Sequence, residues 1–485
     1  MKELQQLAKK YDCAEPPSVK NRRLLGVDRL EQIFRANSES RLMEEFLFHF
    51  RQTGYTIRQV LLGITAYDTA EPANLEAILS SKFNDFGNGP RRAITFPMFG
   101  DGIFTQEGEA WKHSREILRP QMYHSQYENL DLFREPVDDL LAALPEHGGL
   151  VDLQPLFFRF TLDVSTAFLF GESVHSLKSP TDSKEKNFAD AFNLAQKYVI
   201  NRFRLSDFYW LIGGKAFRDA CSQVHQFADE IIDRNLSKGN TDGDDDSRKR
   251  YVFLKSVARE CHNRDALRGQ TINVLAAGRD TTACVLSWVF FHLVRHPRVM
   301  KELRDEISQL PADDKIDRTY LRRLPYLNNV VKEILRLYPS VPINYRVATR
   351  NTVLPTGGGE DRSSPVLIPK GTAVAYSIYA MHRRPDLYGM DAEQFRPERW
   401  DEDLPMNRDP ILQRWGYLPF NGGPRTCLGM DFALTEACYT IVRILQRYPT
   451  IKLPDGEKPE LVGAEKQTMT LVLQITDGCK VEICR

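Results

Sequence analysis

The segment from Phe420 to Gly429, Phe-Asn-Gly-Gly-Pro-Arg-Thr-Cys-Leu-Gly, decides the fold that this sequence predicts. Cys427 lies between Gly423 and Gly429, and helical apolar spacing follows over residues 430–448. Glycine permits backbone turns and close approaches that a Cβ would block. A helix N-terminus lowers the pKa of a cysteine thiol, because its N–H groups and macrodipole favour the thiolate. We therefore expect Cys427 to be a metal ligand, since the thiolate is the form that binds metal.

A buried cysteine that packs as a small apolar residue is the alternative, and for an isolated cysteine it is the commoner case. The pattern Phe-x-x-Gly-x-x-x-Cys-x-Gly disfavours it, because with 27 Phe, 29 Gly and 8 Cys in 485 residues it is expected about 0.002 times by chance. The segment resembles the haem-binding loop of the cytochrome P-450 superfamily. This resemblance implies that Cys427 is the axial ligand of the haem iron and that Phe420, Gly423 and Gly429 belong to the haem-binding site.

The composition excludes several other classes of protein. Charge is balanced, with 65 basic and 65 acidic residues, so nothing global indicates nucleic acid or an acidic partner. The 8 cysteines form no CxxC pair, which disfavours a zinc site and a disulfide framework and fits a reducing compartment. No apolar run of about 18 residues predicts a membrane span, and the charged N-terminus lacks the apolar core of a signal peptide.

The N-terminal segment has a feature of membrane-anchored members of the superfamily. Eukaryotic members usually carry an anchor followed by a proline-containing hinge, and Glu15-Pro-Pro-Ser18 with basic residues at 20, 22 and 23 resembles that hinge. We expect residues 1–25 to be a hinge-like segment with the anchor absent, and residues 26–485 to form a single cytochrome P-450 domain. The resemblance implies the cytosolic face of the endoplasmic reticulum membrane if an anchor precedes this sequence, and the cytoplasm otherwise.

A glycine-punctuated loop over residues 99–105 leads into a helix predicted to begin near Glu107. Trp111 and Arg115 are four residues apart and share a helical face. From spacing alone, a partly buried tryptophan beside a surface arginine is equally expected. In the family this pair reaches the haem propionates through the indole N–H and a charge-assisted guanidinium bond. The resemblance also assigns Arg346 and Arg425 to the propionates, with His382 as a further candidate.

The apolar spacing predicts a helix from Asp265 to His296, which at about 30 residues would be about 45 Å long. Its middle contains glycine, aspartate and two threonines, which cost helix stability and indicate a function, although a harmless polar patch would give the same pattern. In the family this stretch, with Ala277 and Gly278, is the oxygen-binding groove. The matching acid and alcohol, Asp280 and Thr281, relay protons for O–O cleavage while the thiolate donates electron density.

Glu333 and Arg336 are three residues apart in a predicted helix over residues 327–337. An exposed pair at this spacing contributes little to stability, and that would be the simplest interpretation. A second arginine, Arg399, follows shortly before the cysteine loop. The resemblance makes these three residues a structural triad that locks the loop beneath the haem, with a role in folding and haem retention.

Other elements are predicted from local patterns. Residues 30–50 have helical spacing, and residues 55–67 are typical of a hairpin with its turn at Gly63. At the C-terminus, residues 468–475 and 481–483 are predicted to form another hairpin. The fold class implied by the resemblance is mainly α with a small β domain: the cytochrome P-450 fold, with a long central helix over the haem and the cysteine loop beneath.

The activity implied by the resemblance is monooxygenation by haem b with O2, using electrons from NADPH through NADPH–cytochrome P-450 reductase, with cytochrome b5 as a second candidate donor. The reductase is expected to dock on the thiolate side, where Lys112, His113, Arg115 and Arg119 supply positive charge. We expect a monomer that binds an apolar small molecule and no nucleic acid. The aromatic residues 201–213 fall near the family's access lid and are a candidate for peripheral membrane contact.

The substrate is predicted less specifically. Residues 99–115 and 420–424 are most similar to the fungal alkane- and fatty-acid-hydroxylating group, which implies terminal or near-terminal hydroxylation of long chains. The alternative is a tailoring oxidation of a fungal secondary metabolite such as a polyketide or terpene. An oxygen-independent haem-thiolate lyase or isomerase is expected to lack the pair Asp280 and Thr281. A non-catalytic haem protein would keep Cys427 and need no reductase.

Overall fold

Helices dominate the structure, a computed structural model that describes residues 2–123, 127–179, 184–237, 253–261, 263–310, 316–457, 463 and 465–484. The α-helices in these ranges are α1 (Lys2–Lys10), α2 (Val27–Ser38), α3 (Leu42–Thr53), α4 (Pro72–Glu76), α5 (Arg91–Phe99), α6 (Gly108–Leu118), α7 (Asp131–Ala143), α8 (Leu153–Phe170), α9 (Lys184–Leu205), α10 (Lys215–Ser237), α11 (Phe253–Glu260), α12 (Arg264–Leu293), α13 (Pro297–Ile307), α14 (Arg318–Arg322), α15 (Pro325–Leu337), α16 (Ile378–Met381), α17 (Pro385–Tyr388), α18 (Pro410–Trp415) and α19 (Met430–Arg447).

The strands form small sheets. They are β1 (Thr56–Leu61), β2 (Ile64–Thr69), β3 (Phe86–Gly87), β4 (Gly149–Asp152), β5 (Ile343–Ala348), β6 (Thr352–Gly358), β7 (Ser364–Ile368), β8 (Ala373–Ser377), β9 (Thr450–Lys452), β10 (Gln467–Met469), β11 (Leu473–Ile475) and β12 (Lys480–Cys484). The largest sheet has the order β1-β2-β8-β5-β3, in which β2 and β8 are parallel. The others are β6-β7, β10-β11 and β4-β12-β9.

The chain divides into two compact units, and neither is continuous in sequence. The first comprises Met1–Gly89, Asn329–Cys427 and Pro459–Asp477, and contains the sheet that begins with β1. The second comprises Pro90–Asn328, Leu428–Lys458 and Gly478–Arg485, and contains α12. Because each unit is assembled from distant segments, no single boundary along the chain separates them. One domain over residues 26–485 stays a prediction.

The predicted N-terminal hairpin is confirmed. Leu61 of β1 pairs with Ile64 of β2, which leaves a two-residue turn of Leu62 and Gly63. Both turn residues have left-handed backbone angles, with φ of 51° and 80°. Such a turn matches the twist of the flanking strands, and glycine at its second position adopts this conformation without a steric cost.

The structure corrects the expectation of helical spacing throughout residues 30–50. Two helices, α2 and α3, flank a break at residues 39–41, where Ser40 has a φ of 60°. Just before the break, the hydroxyl of Ser38 donates to the Arg35 carbonyl at 2.8 Å. Serine and asparagine side chains compete with helical backbone bonds in this way, and the run Asn37-Ser38 therefore ends the first helix.

The predicted C-terminal hairpin is wrong in its pairing. β10 pairs with β11, whereas β12 joins β4 and β9 in a separate sheet. The chain leaves β11 through Gly478, which has a φ of 80°, and the Cys479 amide then donates to the Asp152 carboxylate at 2.8 Å. This contact spans 327 residues, so a local pattern of strand residues could not indicate it.

The helices that carry the predicted motifs are confirmed. α6 begins at Gly108, directly after Glu107, and α12 runs unbroken for 30 residues. The side chain of Asn263 caps α12 by accepting the Ala266 amide at 3.0 Å. Among the described helices, α12 alone is long and apolar enough to cross a membrane, and 78% of its most apolar window is buried inside the protein.

Candidate functional site

The cysteine loop is held by hydrogen bonds within itself. The Cys427 amide donates to the Phe420 carbonyl at 2.9 Å, which closes the loop. The Asn421 amide group donates to the Arg425 carbonyl at 3.2 Å, and the Thr426 hydroxyl donates to the Gly423 carbonyl at 2.7 Å. These bonds order the backbone on which the sulfur is carried.

The two glycines of the loop have different roles in the protein. Gly423 has a φ of 65°, and a Cβ there would collide with the Leu79 carbonyl. Gly429 has a φ of −92°, and a Cβ there would meet no protein atom within 4 Å. The backbone requirement for glycine is therefore confirmed at 423, which needs a left-handed turn and a close approach to another backbone segment. At 429, neither the backbone angle nor a neighbouring protein atom requires glycine, and its place in the haem-binding site stays a prediction.

Cys427 differs from the other cysteines in its accessibility. All eight lie in the part of the chain that the structure describes, and Cys427 is the exposed one, whereas the rest are buried or half-buried. α19 begins three residues later, at Met430, so Cys427 directly precedes a helix N-terminus as predicted. An exposed sulfur on an ordered loop is suited to ligate a metal from outside the loop.

One face of α12 is accessible in the middle of an otherwise buried helix. From Gly269 to Leu293, the residues that are not buried are Val274, Ala277, Gly278 and Thr281. Their spacing of three, four and seven residues places them on one helical face. Small side chains along this face leave room for a ligand. The predicted groove residues Ala277, Gly278 and Thr281 are thus brought together on α12.

Asp280 does not share that face. It is 2% exposed, and its carboxylate accepts hydrogen bonds from the side chains of Arg279, at 2.9 Å, and of Gln196 in α9. Burial raises the pKa of Asp280, and Arg279 and Gln196 counteract the rise. The Thr281 hydroxyl donates to the Ala277 carbonyl at 2.7 Å. The acid and the alcohol are thus adjacent in sequence, but Asp280 faces the buried side chains of Arg279 and Gln196, whereas Thr281 lies on the accessible face of α12.

Gly278 also has a packing role that was not predicted. A Cβ at this position would lie 2.6 Å from the Ser165 hydroxyl of α8. The Thr161 hydroxyl of α8 donates to the Arg279 carbonyl at 2.7 Å. The close packing of α8 on α12 is therefore sufficient to require glycine at 278. At the same point, a carbonyl of the α12 backbone accepts a hydrogen bond from a side-chain hydroxyl of α8.

The predicted propionate residues lie in both units. In α6, Trp111 is buried, and the Arg115 guanidinium carbon is 6.0 Å from the centroid of its ring, so the two share a face as predicted. Arg346 of β5 is buried and donates to the Tyr345 carbonyl at 2.8 Å. Arg425 is half-buried in the cysteine loop. Each is a guanidinium or indole donor suited to a carboxylate.

The structure contradicts the expectation that His382 contacts a haem propionate. Its ring is fully buried, the Leu418 amide donates to Nε2 at 2.9 Å, and Nδ1 lies 3.1 Å from the Arg336 carbonyl. Because Nε2 accepts, Nδ1 carries the proton and donates it to that carbonyl. Burial, followed by the nearby Arg336 charge, lowers the pKa of His382 to about 3. Both nitrogens are used by the backbone, so this neutral ring has no donor for a propionate.

The structure brings Glu333, Arg336 and Arg399 together, all fully buried. Arg336 makes a bidentate pair with Glu333 at 2.8 and 2.9 Å, and Arg399 donates to the same carboxylate at 3.2 Å. Sequence reasoning missed a further donor, Trp400, whose indole N–H reaches Glu333 at 3.1 Å. Arg399 also donates to the Tyr388 carbonyl at 2.7 Å. The carboxylate is therefore saturated with donors, as a buried charge requires.

Arg279 is the main residue near the site that sequence reasoning left unassigned. Its guanidinium bonds Asp280 and also donates to Asn193 at 3.0 Å. Adjacent residues on a helix do not normally face each other, so the sequence carries no signal for this pair. The expected partner-docking residues Lys112, His113 and Arg119 are exposed, and Arg115 is half-buried.

A comparison with known proteins identifies the family. A family model for cytochrome P-450 matches residues 32–477. The chain belongs to the cytochrome P-450 family. It is 44% identical to a cytochrome P-450 of Arthroderma benhamiae, over 99% of this chain and 94% of the relative. It is 45% identical to cytochrome P-450 52A5 of Candida maltosa, over 86% of this chain and 80% of the relative.

The same comparison confirms the predicted fold. A solved cytochrome P-450 haem domain is similar with a TM-score of 0.75 and 20% identity, over 97% of this chain and 98% of that one. The mainly helical architecture with small sheets is that of a cytochrome P-450. This cytochrome P-450 is a monooxygenase of a family that uses haem b, O2 and electrons from a redox partner.

Proposed function

We propose that this cytochrome P-450 hydroxylates long apolar chains, fatty acids or alkanes, at or near the terminal carbon, with Cys427 as the axial ligand of the haem iron. The observation that carries the proposal is the exposed sulfur of Cys427 on a loop closed by its own hydrogen bonds. The substrate class is supported by the similarity of residues 99–115 and 420–424 to the fungal alkane- and fatty-acid-hydroxylating group.

The residues present fit haem b. Cys427 would ligate the iron, and the accessible face of α12 with Ala277, Gly278 and Thr281 supplies small side chains for a flat group and a small ligand. Phe420, Gly423 and Gly429 belong to the loop that carries the sulfur. When bound, haem supplies the activation of O2 and the insertion of one oxygen atom into a C–H bond, with the other leaving as water.

Four donors are proposed to hold the haem propionates: Trp111, Arg115, Arg346 and Arg425. The indole donates one neutral hydrogen bond, whereas each guanidinium donates charge-assisted bonds. Glu333, Arg336 and Arg399 are proposed to keep the segment before the cysteine loop in place. A chain of hydrogen bonds supports this role. The Leu418 amide donates to one ring nitrogen of His382, and the other ring nitrogen donates to the Arg336 carbonyl.

Asp280 and Thr281 are proposed to deliver protons. Burial raises the pKa of Asp280, so its carboxyl holds a proton more readily than an exposed aspartate does. The Thr281 hydroxyl can accept one proton and donate another, and it lies on the accessible face of α12. Because Arg279 and Gln196 hold the Asp280 carboxylate, proton transfer from Asp280 requires these bonds to open.

NADPH–cytochrome P-450 reductase is proposed as the electron donor, with cytochrome b5 as a second candidate. The exposed side chains of Lys112, His113 and Arg119 support docking of an acidic partner on α6 and the turn that follows it. We also propose a monomer at the cytosolic face of the endoplasmic reticulum membrane. The exposed apolar side chains of Trp210 and Leu211 support contact with a lipid surface.

The decisive experiment is the absorption spectrum of the reduced protein with bound carbon monoxide. We expect the red-shifted Soret band of a thiolate-ligated haem, and its loss in Cys427→Ser. Cys13→Ser is the matched control, since this half-buried cysteine lies far from the motif in sequence and its replacement should leave the band unchanged. A normal thiolate band in Cys427→Ser would overturn the assignment of the ligand.

Substrate binding is tested separately with fatty acids, alkanes, polyketides and terpenes. Binding of long linear chains, with oxidation at or near their ends, is the expected result. Turnover of polyketides or terpenes alone would favour the tailoring oxidation of secondary metabolites instead. Turnover that needs neither O2 nor NADPH would favour a lyase or isomerase.

A further inference from the structure

Arg202 is a buried cation near the C-terminal end of α9. It is 8% exposed, and one of its terminal nitrogens, Nη2, donates to the Ala93 carbonyl of α5 at 3.2 Å. Its guanidinium carbon lies 5.0 Å from the centroid of the Tyr209 ring and 5.3 Å from that of Phe217 in α10. Two aromatic rings at these distances attract the guanidinium through cation–π interactions.

No acidic residue within the described ranges neutralises this cation. The groups that act on its charge are Tyr209 and Cys221, and the Nε of Arg202 has no hydrogen-bond acceptor. Several other buried arginines are paired with carboxylates, for example Arg279 with Asp280 and Arg336 with Glu333. Arginine stays protonated in proteins, so Arg202 is a buried positive charge, and the described residues provide no counter-ion for it.

We propose that Arg202 binds the carboxylate of a fatty-acid substrate. This inference rests on the proposed function and sharpens it, since a site for a carboxylate separates fatty acids from alkanes. A guanidinium with free donor capacity is the group that best binds a carboxylate, through charge-assisted hydrogen bonds. A bound carboxylate would supply both the acceptor that Nε lacks and the missing negative charge.

The surroundings of Arg202 also suit an amphipathic ligand. Residues 206–211 follow α9 directly, and Phe208, Trp210 and Leu211 are 38%, 66% and 60% exposed. Tyr209, in the same segment, packs on Arg202. The segment that contacts the cation therefore also carries exposed apolar side chains, which suits a ligand with a charged end and an apolar chain.

The position of Arg202 on α9 agrees with oxidation far from the carboxylate. Gln196, on the same helix, donates to the carboxylate of Asp280 in α12. Six residues separate Gln196 from Arg202, which corresponds to about 9 Å along the helix axis. The proposed site therefore holds the carboxylate toward the end of α9, away from the proposed proton-delivery residues. A chain anchored there would present its distal carbons for oxidation.

The experiment compares three ligands of equal chain length: hexadecanoic acid, its methyl ester and hexadecane. Dissociation constants are measured from the shift of the haem spectrum in the wild-type holoenzyme and in three variants. Arg202→Leu removes the charge, Arg202→Lys keeps it, and Arg218→Leu is the matched control. Arg218 is exposed in α10, one residue after Phe217, so its loss changes the local charge without touching the proposed site.

We expect the wild-type enzyme to bind the acid at least about 10-fold more tightly than the methyl ester, as a charged hydrogen bond implies. Arg202→Leu should weaken binding of the acid by about 10- to 100-fold and change binding of the ester and the alkane by less than about 2-fold. Arg202→Lys should keep most of the preference for the acid. Arg218→Leu should behave like the wild type.

Two results would overturn the inference. Equal dissociation constants for acid and ester in the wild type would show that no carboxylate is recognised. Equal weakening of all three ligands in Arg202→Leu would show that Arg202 only holds α5 and α10 together. If Arg202→Leu does not retain haem, the inference is decided by the preference for the acid over the ester in the wild type and in Arg202→Lys. If ester and alkane are oxidised without a preference for the acid, the proposed function stands and this inference fails; if none of the three binds, both fail.

Discussion

Asp280 and Cys427 are prepared for their proposed roles in opposite ways. Cys427 is exposed on a loop that its own hydrogen bonds close, which suits a metal ligand. Asp280 is buried, with a raised pKa, and is held by Arg279 and Gln196. A ligand must be accessible, whereas burial makes the carboxyl of Asp280 bind a proton more readily than an exposed aspartate does.

Replacing Thr281 by alanine should uncouple NADPH consumption from product formation while haem binding persists. The hydroxyl that is lost lies on the accessible face of α12, so protons would no longer be delivered in step with the reaction. We expect product per NADPH to fall by roughly 10-fold or more, with peroxide or water formed instead. Thr271→Ala is the control, because its hydroxyl makes the same kind of bond, to the Leu267 carbonyl at 2.9 Å, from a buried position. Unchanged coupling in Thr281→Ala would remove Thr281 from the relay.

Glu333→Gln should destabilise the protein strongly. The carboxylate is fully buried and faces two guanidinium groups, so its neutralisation leaves uncompensated charge in the interior. We expect a loss of about 3–5 kcal/mol in the free energy of unfolding, measured with denaturant. In Glu302→Gln the exposed pair with Arg298 is lost instead, and the expected cost is below about 1 kcal/mol. Similar losses in both variants would contradict a role for burial.

At the level of elements, the cysteine loop and α12 are shaped mainly by what packs against them. Gly423 is required because the Leu79 carbonyl lies where its Cβ would be. Gly278 is close-packed on Ser165, although it belongs to a motif that suggests only ligand binding. Glycines within one motif therefore serve different purposes, and their neighbours decide which.

Gly423→Ala and Gly429→Ala should differ in their effect on the loop. Alanine at 423 must adopt a left-handed φ and would strike a backbone carbonyl, so we expect a loss of at least about 2 kcal/mol in the free energy of unfolding. Alanine at 429 has an ordinary φ and no neighbouring protein atom, so its cost should stay within about 1 kcal/mol. Equal costs, measured by circular dichroism in denaturant, would refute this steric account.

At the scale of the whole molecule, several buried acids affect how stability depends on pH. Burial raises the pKa of Asp163, Asp280, Glu436 and Glu465, and raises that of Asp68 to about 6. Asp68 accepts a hydrogen bond from Gln59 at 2.5 Å, and the charge of Arg29 lowers its pKa in part. These acids bind protons more tightly in the folded state than in the unfolded state.

Asp68→Asn should stabilise the protein at neutral pH. The folded pKa of about 6 exceeds the ordinary aspartate pKa of about 3.8, so the contribution of Asp68 is fully present below about pH 4 and is lost as the pH rises toward 6. Removing this ionisation should gain up to about 3 kcal/mol at pH 7. The measurement is the free energy of unfolding between pH 4 and pH 7, and the variant should show a flatter curve. A variant that is less stable than the wild type at pH 7 would contradict this account.

Sequence alone determined which segments form the main helices, the N-terminal hairpin and the cysteine loop. Those features depend on periodicity and turn residues that act over a few positions, as at Gly63 and Gly423. It also indicated that Glu333, Arg336 and Arg399 act together, although only through the resemblance to a family.

Only the tertiary structure decided the partners of buried polar groups. Asp280 meets Gln196 across 84 residues, and Cys479 meets Asp152 across 327. Burial and the charge of Arg336 keep the ring of His382 neutral, and its two nitrogens bond backbone groups. Arg202 is buried, and none of the described carboxylates pairs with it. A side chain's charge and role depend on desolvation and on the few groups that face it, and these are brought together by packing between segments distant in sequence.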